Sequence, residues 1–394
     1  MNRKLIITKL KEAIVTAVLE DDKIVELQCS NKEQKQEIQL GDIYIGRVKN
    51  IVANINAAFI EVRSGVECYY AINENPESFF TKKIGKKPLC IGDELVVQVS
   101  KEAVKTKVPT VTSKLNFTGK YAVLTYGDNR AGVSNKIDRN KKERFQELAK
   151  SFTTEEVGVI IRTNAKDADE TLIQEELCRL TEEYKTLMSQ ATTRTCFTKL
   201  KGAPKEYLTE LRNIYQEGLT DIVIEDKVIY QEVKEFLTRE QPEDLDKLRL
   251  YDDKLLPLYK LYSVETNMAN ALKEYVWLKS GAYIVIQPTE ALTVIDVNTG
   301  KCISKKRDDE AYLKINMEAA IEVAKQIRLR NLSGIILIDF INMENKESMD
   351  RLLEHFDNIL KKDPIKTTLV DVTKLQLVEI TRKKVRRPLH EVMS

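Results

Sequence analysis

Two short apolar stretches of the chain each carry one aspartate. Asp296 follows Leu292-Thr-Val-Ile, and Asp339 follows Gly334-Ile-Ile-Leu-Ile. A short apolar run interrupted by a single carboxylate is typical of a buried strand whose acid emerges at its end. Because a buried carboxylate is costly unless it is paired, hydrogen-bonded or bound to a metal ion, both acids are candidates for a functional site.

The simplest chemistry for two such carboxylates is the binding of a hard cation. Mg²⁺ takes one or two carboxylates and leaves its remaining positions to water and phosphate. The alternative is that each acid closes a loop or pairs with a nearby arginine. The pattern alone leaves both interpretations open. Only two histidines occur, so metal-activated water is a better candidate for hydrolysis than a histidine pair.

The segment between the two acids predicts how they are brought together. Residues 308–330 have the pattern of an amphipathic helix. Its apolar stripe comprises Ile315, Ala319, Val323, Ile327 and Leu329. Two strands joined by a long crossover helix are parallel neighbours in a sheet. This connection favours a shared edge for Asp296 and Asp339.

Composition excludes few classes of protein. The chain has 394 residues, 63 of them basic and 61 acidic, so net charge indicates no particular partner. The length predicts about two to four domains. No signal peptide and no long apolar run occur, so we expect a soluble, cytoplasmic protein without membrane contact. The six cysteines are scattered without a Cys-x-x-Cys pair, which is typical of reduced thiols.

The C-terminal region carries a basic block between Lys374 and Arg387 that includes Arg382. Such a block favours a phosphate-rich partner, and a solvated basic tail is the alternative. Further upstream, Leu258 to Trp277 reads as one helix. The apolar stretches within residues 1–38 read as short strands that need a partner from elsewhere in the chain.

Residues from about Gly41 to Thr118 have short strand patterns separated by glycine-containing turns, which predicts a small barrel. Phe59 and Tyr69 lie on neighbouring predicted strands, with Lys107 nearby. Outward-facing aromatic rings would stack on bases, and the lysine would contact phosphate. The alternative, that one or both rings belong to the barrel core, is equally open.

A strand pattern over Val157 to Ile161 ends in Arg162 and Thr163. A guanidinium fork beside a hydroxyl suits a terminal phosphate. Pairing of Arg162 with a nearby carboxylate is the alternative.

Several blocks resemble the ribonuclease E/G family. They are EALTVIDVNTGK from Glu290, NMEAAIEVAKQIRLRNLSGIILIDFINM from Asn316, the barrel opening GDIYIGRV from Gly41, GKYAV from Gly119, IRT from Ile161 and EITRKKVR from Glu379. The resemblance spans essentially the whole chain.

This resemblance implies an α/β and α+β multidomain fold. An RNase H-like domain would be split between residues 1–38 and 208–271. An S1-like OB barrel over 39–118 and a 5′-sensor segment over 119–207 would be inserted between its halves. A DNase I-like catalytic domain would occupy 272–394.

The resemblance also implies roles for individual residues. Asp296 and Asp339 match the two metal-binding aspartates, and Asn298 matches an asparagine that orients the site. The positions that contact RNA through the barrel correspond to Phe59, Tyr69 and Lys107. The positions that bind a 5′-monophosphate correspond to Arg162, Thr163, Gly119 and Val123.

Three departures from the family pattern carry information. Asn135 and Lys366 stand where arginines are usual, which predicts a looser hold on RNA phosphates because both lose a bidentate fork. The family continues into a Cys-Pro-x-Cys zinc link, and no cysteine follows Cys302 here. We therefore expect no Zn²⁺ site within this chain. A zinc-linked assembly is not favoured, and a homodimer stays open.

The function that the resemblance implies is endonucleolytic cleavage of single-stranded RNA. The cofactor would be Mg²⁺, with Mn²⁺ as a substitute, and the products would carry 5′-phosphates. Substrates with a 5′-monophosphate would be preferred, among them ribosomal RNA precursors and messenger RNA. Two alternatives stay open: an RNA-binding member with weak or lost cleavage, and a DNase I-like phosphodiesterase with other substrates.

Overall fold

The chain divides into two compact units. The computed structural model describes residues 2–31, 38–103, 107–214, 217–300 and 309–393. One unit comprises Met1–Glu33, Tyr215–Glu235 and Glu243–Ser394, and the other comprises Gln34–Ile214 and Phe236–Pro242. The domain boundaries implied by the family resemblance divide the chain more finely, and they stay a prediction.

Three antiparallel strands begin the chain. They are β1 (Arg3–Leu10), β2 (Ala13–Glu20) and β3 (Lys23–Asn31). Consecutive residues of β1, from Leu5 to Ile7, are all buried. A strand that is buried on both faces is typical of a central strand with partners on both sides. One of its partners is β2, and the other must come from a later segment.

The second unit contains a closed barrel. Its strands are β4 (Ile43–Val52), β5 (Ala57–Arg63), β6 (Val66–Ala71), β7 (Phe80–Lys82), β8 (Glu94–Lys101) and β9 (Thr110–Thr112). Strands β4, β5, β6, β9 and β8 pair in that order, and β8 pairs again with β4. This second pairing closes a five-stranded, OB-like barrel.

A four-stranded sheet follows in the same unit. Its strands are β10 (Asn116–Thr118), β11 (Ala122–Tyr126), β12 (Asp128–Val133) and β13 (Val157–Ile161), in the order β10-β11-β13-β12. The helices are α1 (Arg139–Phe152), α2 (Glu170–Thr193) and α3 (Glu206–Asn213), and β14 (Lys199–Lys201) pairs with β4. Ile173, Leu177 and Leu180 form the stripe with which α2 joins the core of this sheet.

The N-terminal strands find their partner near the middle of the sequence. The elements there are β15 (Leu219–Ile224), α4 (Lys227–Glu240), β16 (Leu248–Leu250), α5 (Leu258–Leu261) and α6 (Val264–Ala271). Strand β15 pairs in parallel with both β1 and β16. The resulting five-stranded sheet has the order β16-β15-β1-β2-β3.

The single helix predicted from Leu258 to Trp277 is wrong. Ser263 has a φ of 50°, in the left-handed region, and it separates α5 from α6. The last three residues of the predicted helix form β17 (Tyr275–Trp277) instead. These aromatic and β-branched side chains favour a strand, and a neighbouring strand supplies the pairing that local periodicity cannot reveal.

The C-terminal sheet carries the two aspartates. Its elements are β17, β18 (Tyr283–Pro288), β19 (Leu292–Asn298), α7 (Asp309–Leu329), β20 (Gly334–Asp339), α8 (Lys346–Leu360), β21 (Thr367–Val372), β22 (Val378–Arg382) and α9 (Leu389–Met393). The strand order is β17-β18-β19-β20-β22-β21. Helices α7 and α8 share one apolar core with the inner face of this sheet. None of the helices in the described ranges is both long enough and apolar enough to cross a membrane.

One member of the basic C-terminal block is a core residue. Arg382 is 3% exposed and Asp363 is 5% exposed, and the Arg382 Nε donates to Asp363 Oδ2 at 2.7 Å. The same guanidinium donates to Asn331 Oδ1 at 2.8 Å and to the Leu332 carbonyl at 3.1 Å. Arg382 is therefore not available to a phosphate-rich partner, which corrects the interpretation of the block at this position.

Replacing Arg382 tests this buried ion pair. Arg382→Met removes the cation and leaves the Asp363 carboxylate buried without it, so we expect the free energy of unfolding to fall by about 3–5 kcal/mol. Urea unfolding followed by circular dichroism measures the change. Arg351→Met is a matched control, because the Arg351 side chain is 56% exposed and lies 3.7 Å from Glu310. Equal effects of the two substitutions would contradict the prediction.

Candidate functional site

Asp296 and Asp339 lie side by side on the C-terminal sheet. Strands β19 and β20 are parallel neighbours, and their register pairs the two aspartates directly. Paired residues of adjacent strands project from the same face of a sheet. The predicted parallel arrangement is therefore observed, and it brings the two carboxylates together.

The core fixes which face the aspartates occupy. Ile295, Val297 and Ile338 are buried against the core that α7 and α8 cover. Because side chains alternate along a strand, Asp296 and Asp339 project from the opposite face. Asp296 is exposed there and Asp339 is half-buried.

The two charges disfavour each other in the absence of a cation. Partial burial raises the pKa of Asp339 above its ordinary value, and the nearby Asp296 carboxylate raises it further. Two acids that share a site repel when both are ionised. A divalent cation relieves this repulsion, so the pair is suited to hold one.

Asn298 belongs to the same group of side chains. Its Nδ2 donates to Asp296 Oδ2 at 2.7 Å, and it lies two residues further along β19, on the same face. The amide therefore restricts the rotation of the Asp296 carboxylate. Asn298 acts on a carboxylate that could bind metal, as an orienting partner does.

The donor set fits magnesium better than a soft metal. Within the described ranges, no group of three or more His, Cys, Asp or Glu side chains could hold a metal ion. A site of two carboxylates leaves several coordination positions for water and phosphate, as Mg²⁺ prefers. The side chains that could hold the ion are Asp296 and Asp339.

Phe59 and Tyr69 lie on the outer surface of the barrel. They are direct partners across β5 and β6, with ring centroids 6.3 Å apart and ring planes at 80°. Ile60, Cys68 and Tyr70 occupy the alternate positions and are buried in the barrel core. Both predicted stacking residues are therefore half-buried and face outward, so the core alternative is wrong for these two rings.

Lys107 is exposed, and it lies two residues before Pro109, which contacts Tyr69. The Tyr69 N–H donates to the Pro109 carbonyl at 2.8 Å, and Lys107 precedes that proline by two residues. The structure therefore brings the backbone of all three predicted barrel residues to the same part of the surface.

Arg162 is a half-buried cation held by neutral acceptors. Its Nη1 donates to the Gly119 carbonyl at 2.5 Å, and its Nη2 donates to Asn213 Oδ1 at 2.8 Å. Burial and, to a smaller extent, the nearby Arg212 charge together lower the pKa of Arg162 to about 10. The alternative pairing of Arg162 with a carboxylate is not observed among its contacts in the described ranges.

Thr163 and Val123 lie at the same edge of the four-stranded sheet. The Thr163 hydroxyl is 2.8 Å from the Ser134 hydroxyl, and the Arg162 N–H donates to the Tyr121 carbonyl at 2.7 Å. Val123 lies on β11, which pairs with β13 immediately before Arg162. The residues predicted to bind a 5′-phosphate are thus neighbours.

Glu176, which was not predicted as a functional residue, holds the loop beside Gly119. Its carboxylate accepts backbone N–H bonds from Lys120 at 2.7 Å and from Tyr121 and Ala122 at 2.8 Å each. Burial raises the pKa of Glu176, and these three bonds oppose that shift. The available signal was an acid placed within the apolar stripe of α2.

Gly119 has a steric reason to be glycine. A Cβ at this position would lie 2.3 Å from the Glu176 carboxylate carbon. No side chain fits at that distance without displacing the carboxylate. The loop that carries the Gly119 carbonyl, and through it the Arg162 guanidinium, therefore depends on the pair Gly119 and Glu176.

The two family departures lie on the surface. Asn135 and Lys366 are both exposed. The Lys142 ammonium lies 3.4 Å from Asn135 Oδ1. The looser hold on RNA phosphates stays a prediction.

The fold and the site define a mixed α/β protein with an OB-like barrel and a paired-carboxylate centre. The family model described as the ribonuclease E/G family matches residues 116–385, and the chain belongs to this family. It is 33% identical over 368 residues to ribonuclease G of Haemophilus influenzae, covering 90% of this chain and 74% of that protein. Ribonuclease G of Escherichia coli K12 is 31% identical over the same length and coverage.

Ribonuclease E of Synechocystis is 33% identical over 389 residues. That match covers 96% of this chain and 57% of the Synechocystis protein, so the chain spans little more than half of it. Membership of the family supports an endoribonuclease role.

The raised pKa of Asp339 predicts a pH-dependent effect of Asp339→Asn on stability. Ionisation of Asp339 costs free energy in the folded protein, and this cost is absent below the ordinary pKa of 3.8. The metal-free variant should therefore unfold at a higher temperature than the wild type near neutral pH. The gain should vanish as the pH falls towards 3.8, because both states then bind the proton.

Thermal unfolding in a chelator across this pH range measures the effect. Asp350→Asn, at an exposed position of α8, is the control and should change little at any pH. A gain from Asp339→Asn that is independent of pH would contradict the interpretation.

Proposed function

We propose that this protein is a Mg²⁺-dependent endoribonuclease that cuts single-stranded RNA and leaves a 5′-phosphate and a 3′-hydroxyl. The observation that carries the proposal is the direct pairing of Asp296 with Asp339 in a member of the ribonuclease E/G family. The names of its relatives, ribonucleases G and E, support the same reaction class. Mn²⁺ could substitute for Mg²⁺, because both accept carboxylate and water ligands.

The residues of the centre have separate tasks. Asp296 and Asp339 would hold the ion, and Asn298 keeps the Asp296 carboxylate oriented through its 2.7 Å hydrogen bond. When bound, the ion lowers the pKa of a water molecule and neutralises charge on the scissile phosphate. Without a cation, the paired carboxylates repel the phosphodiester. Substrate binding at this centre is therefore expected to require the ion.

The barrel would hold the RNA strand by stacking and charge. Phe59 and Tyr69 offer outward-facing rings at right angles, and a base stacked on such a ring gains about 1–3 kcal/mol. Lys107 would add a phosphate contact. A strand held this way must be unpaired, because bases in a duplex have no free faces.

The half-buried Arg162 supports a preference for a 5′-monophosphate. Two of its donors are committed to the Gly119 carbonyl and to Asn213, which are neutral acceptors. A phosphate would supply the anionic partner, and Thr163 would add a hydroxyl donor. Gly119 and Val123 would shape the pocket. Family membership favours roles in ribosomal RNA maturation and messenger RNA turnover.

Removing either aspartate tests the catalytic centre. Asp296→Asn and Asp339→Asn should each slow cleavage of a 5′-monophosphorylated A/U-rich oligonucleotide more than a hundredfold with Mg²⁺, because metal catalysis supplies several kcal/mol. RNA binding, measured by fluorescence anisotropy, should persist. Asp371→Asn, an exposed acid on β21, is the matched control and should cleave normally.

Three outcomes would contradict the proposal. Intact RNA after incubation with the wild-type protein and Mg²⁺ would favour an RNA-binding protein without cleavage. Competition by DNA or small phosphodiesters as strong as that by RNA would favour another phosphodiesterase. Unchanged cleavage by both aspartate variants would place the chemistry elsewhere.

Replacing Arg162 tests the 5′-phosphate pocket. Hydrogen bonds to a charged group contribute about 1.5–3 kcal/mol, so Arg162→Ala should reduce the preference for monophosphate over hydroxyl ends by about 10- to 150-fold. The measurement is the ratio of kcat/KM for two oligonucleotides that differ only at the 5′ end. Arg130→Ala, at an exposed position of β12, should preserve the ratio. An unchanged ratio in Arg162→Ala would remove the role.

A further inference from the structure

Three aromatic side chains lie on the sheet face that carries the aspartates. Tyr275 and Trp277 are on β17, and Tyr283 is on β18; these residues are called the aromatic trio. Trp277 pairs with Tyr283, and Tyr283 pairs in turn with Asn298. Trp277, Tyr283 and Asn298 are therefore paired in a line across three neighbouring strands, and Asn298 is the residue that orients Asp296.

A second row of the same face reaches the aspartates themselves. Tyr275 pairs with Val285, Val285 pairs with Asp296, and Asp296 pairs with Asp339. Val276 and Ile284, at alternate positions, pack against the core on the other face. The assignment of the trio to the aspartate face therefore follows from strand register and core packing independently.

The core does not account for the trio. The Tyr275 side chain is 56% exposed and the Trp277 side chain is 65% exposed. The Tyr275 and Trp277 rings lie 5.8 and 5.1 Å from the Tyr283 ring, at angles of 44° and 54°. Tilted rings leave open faces, and a cluster of exposed aromatic residues is typical of a binding surface.

The distance to the paired carboxylates suits a single substrate that spans both. Neighbouring strands are about 4.8 Å apart, so β17 lies about 10 Å from β19. β17 is the edge strand of this sheet, so the trio is open on one side. Nucleotides that flank a phosphate bound at Asp296 are therefore within reach of the trio.

A cleft lies beside the edge strand β17. Tyr275 and Trp277 also line a cleft of about 1010 Å³ in the same unit. The charged residues that line it are Lys23, Lys273 and Lys325, with Asp22 and Glu274. Asp22 is paired with Lys4 at 2.9 Å, which offsets part of the acidic charge. Lys325 lies on α7, which packs against the other face of the sheet, and its ammonium is 3.5 Å from Glu322, so this cleft is distinct from the face that carries the aspartates.

We propose that the aromatic trio is a second base-stacking platform, on which unpaired bases next to the scissile phosphate of a single-stranded RNA stack. The platform rests on the proposed ribonuclease function and is separate from the aromatic pair of the barrel. Stacking accepts every base, because each has a π face, so the platform selects unpaired RNA and not a particular sequence. It therefore orients the strand at the catalytic centre.

Trp277 makes the platform directly observable, because it is the only tryptophan in the chain. The probe is a 5′-monophosphorylated A/U-rich oligonucleotide, mixed with the full-length wild-type protein and Mg²⁺ in a stopped-flow instrument so that the emission is read before the RNA is cut. We expect the tryptophan emission to be quenched at saturation. An oligonucleotide of the same length with abasic sites over the central positions keeps its phosphates and should quench far less.

Substitutions in the otherwise wild-type chain measure the contribution to cleavage. A stack of about 1–3 kcal/mol corresponds to about a 5- to 150-fold increase in KM for Trp277→Leu. Trp277→Phe should restore most of the loss, because it restores an aromatic face. Val370→Ala, which changes a 54% exposed apolar residue on the opposite edge strand β21, should leave KM unchanged.

The outcomes separate this inference from the proposed function. Cleavage and RNA binding without tryptophan quenching would overturn the platform and leave the ribonuclease intact. Quenching by the abasic oligonucleotide that equals quenching by the intact one would overturn stacking. Emission that changes with protein concentration in the absence of RNA would assign the surface to a second copy of the chain. A wild type that neither binds nor cuts RNA would overturn both.

Discussion

The register between β19 and β20 is the constraint on which the candidate centre of Asp296 and Asp339 depends. A shift of one residue would turn either aspartate towards the apolar core, where an unpaired carboxylate is very unfavourable. The core fixes this register, because Ile295 and Ile338 pack against α7 and α8 on the opposite face of the sheet from the aspartates. The packing of the apolar face of the sheet thus determines where Asp296 and Asp339 lie on the opposite face. The same sheet face aligns Asn298 with its neighbours on β18.

The candidate 5′-phosphate site in the other unit is built differently. There a buried carboxylate, Glu176, takes the place that an anion usually occupies in a loop of backbone N–H groups. The loop is consequently rigid before any substrate arrives. Arg162 takes its orientation from this loop through the Gly119 carbonyl. Prior ordering of this kind lowers the entropy that binding must overcome.

Local patterns predicted the elements that carry the candidate centre. The apolar runs of β19 and β20 and the stripe of α7 are visible in sequence, because burial on one helix face or on a central strand leaves a periodic signal. Contacts between distant residues leave none. Two examples are the hydrogen bonds that Glu176 accepts from backbone N–H groups and the ion pair between Arg382 and Asp363. The helix predicted from Leu258 to Trp277 included the residues of β17, so the aromatic trio was not recognised. Residues Tyr275–Trp277 form a strand because they pair with β18, and this pairing leaves no local signal in the sequence.

The first sheet has a consequence for the synthesis of the chain. The Thr220 hydroxyl donates a hydrogen bond to the Arg3 carbonyl, and these two residues are 217 positions apart. At about 5–20 residues per second, the ribosome needs about 10–40 s to deliver β15 after β1 has emerged. During that interval the apolar β1 has an unpaired edge, and such edges invite aggregation. The nascent chain is thus exposed to chaperones before its N-terminal strands can be completed, while the barrel between them is already available to fold.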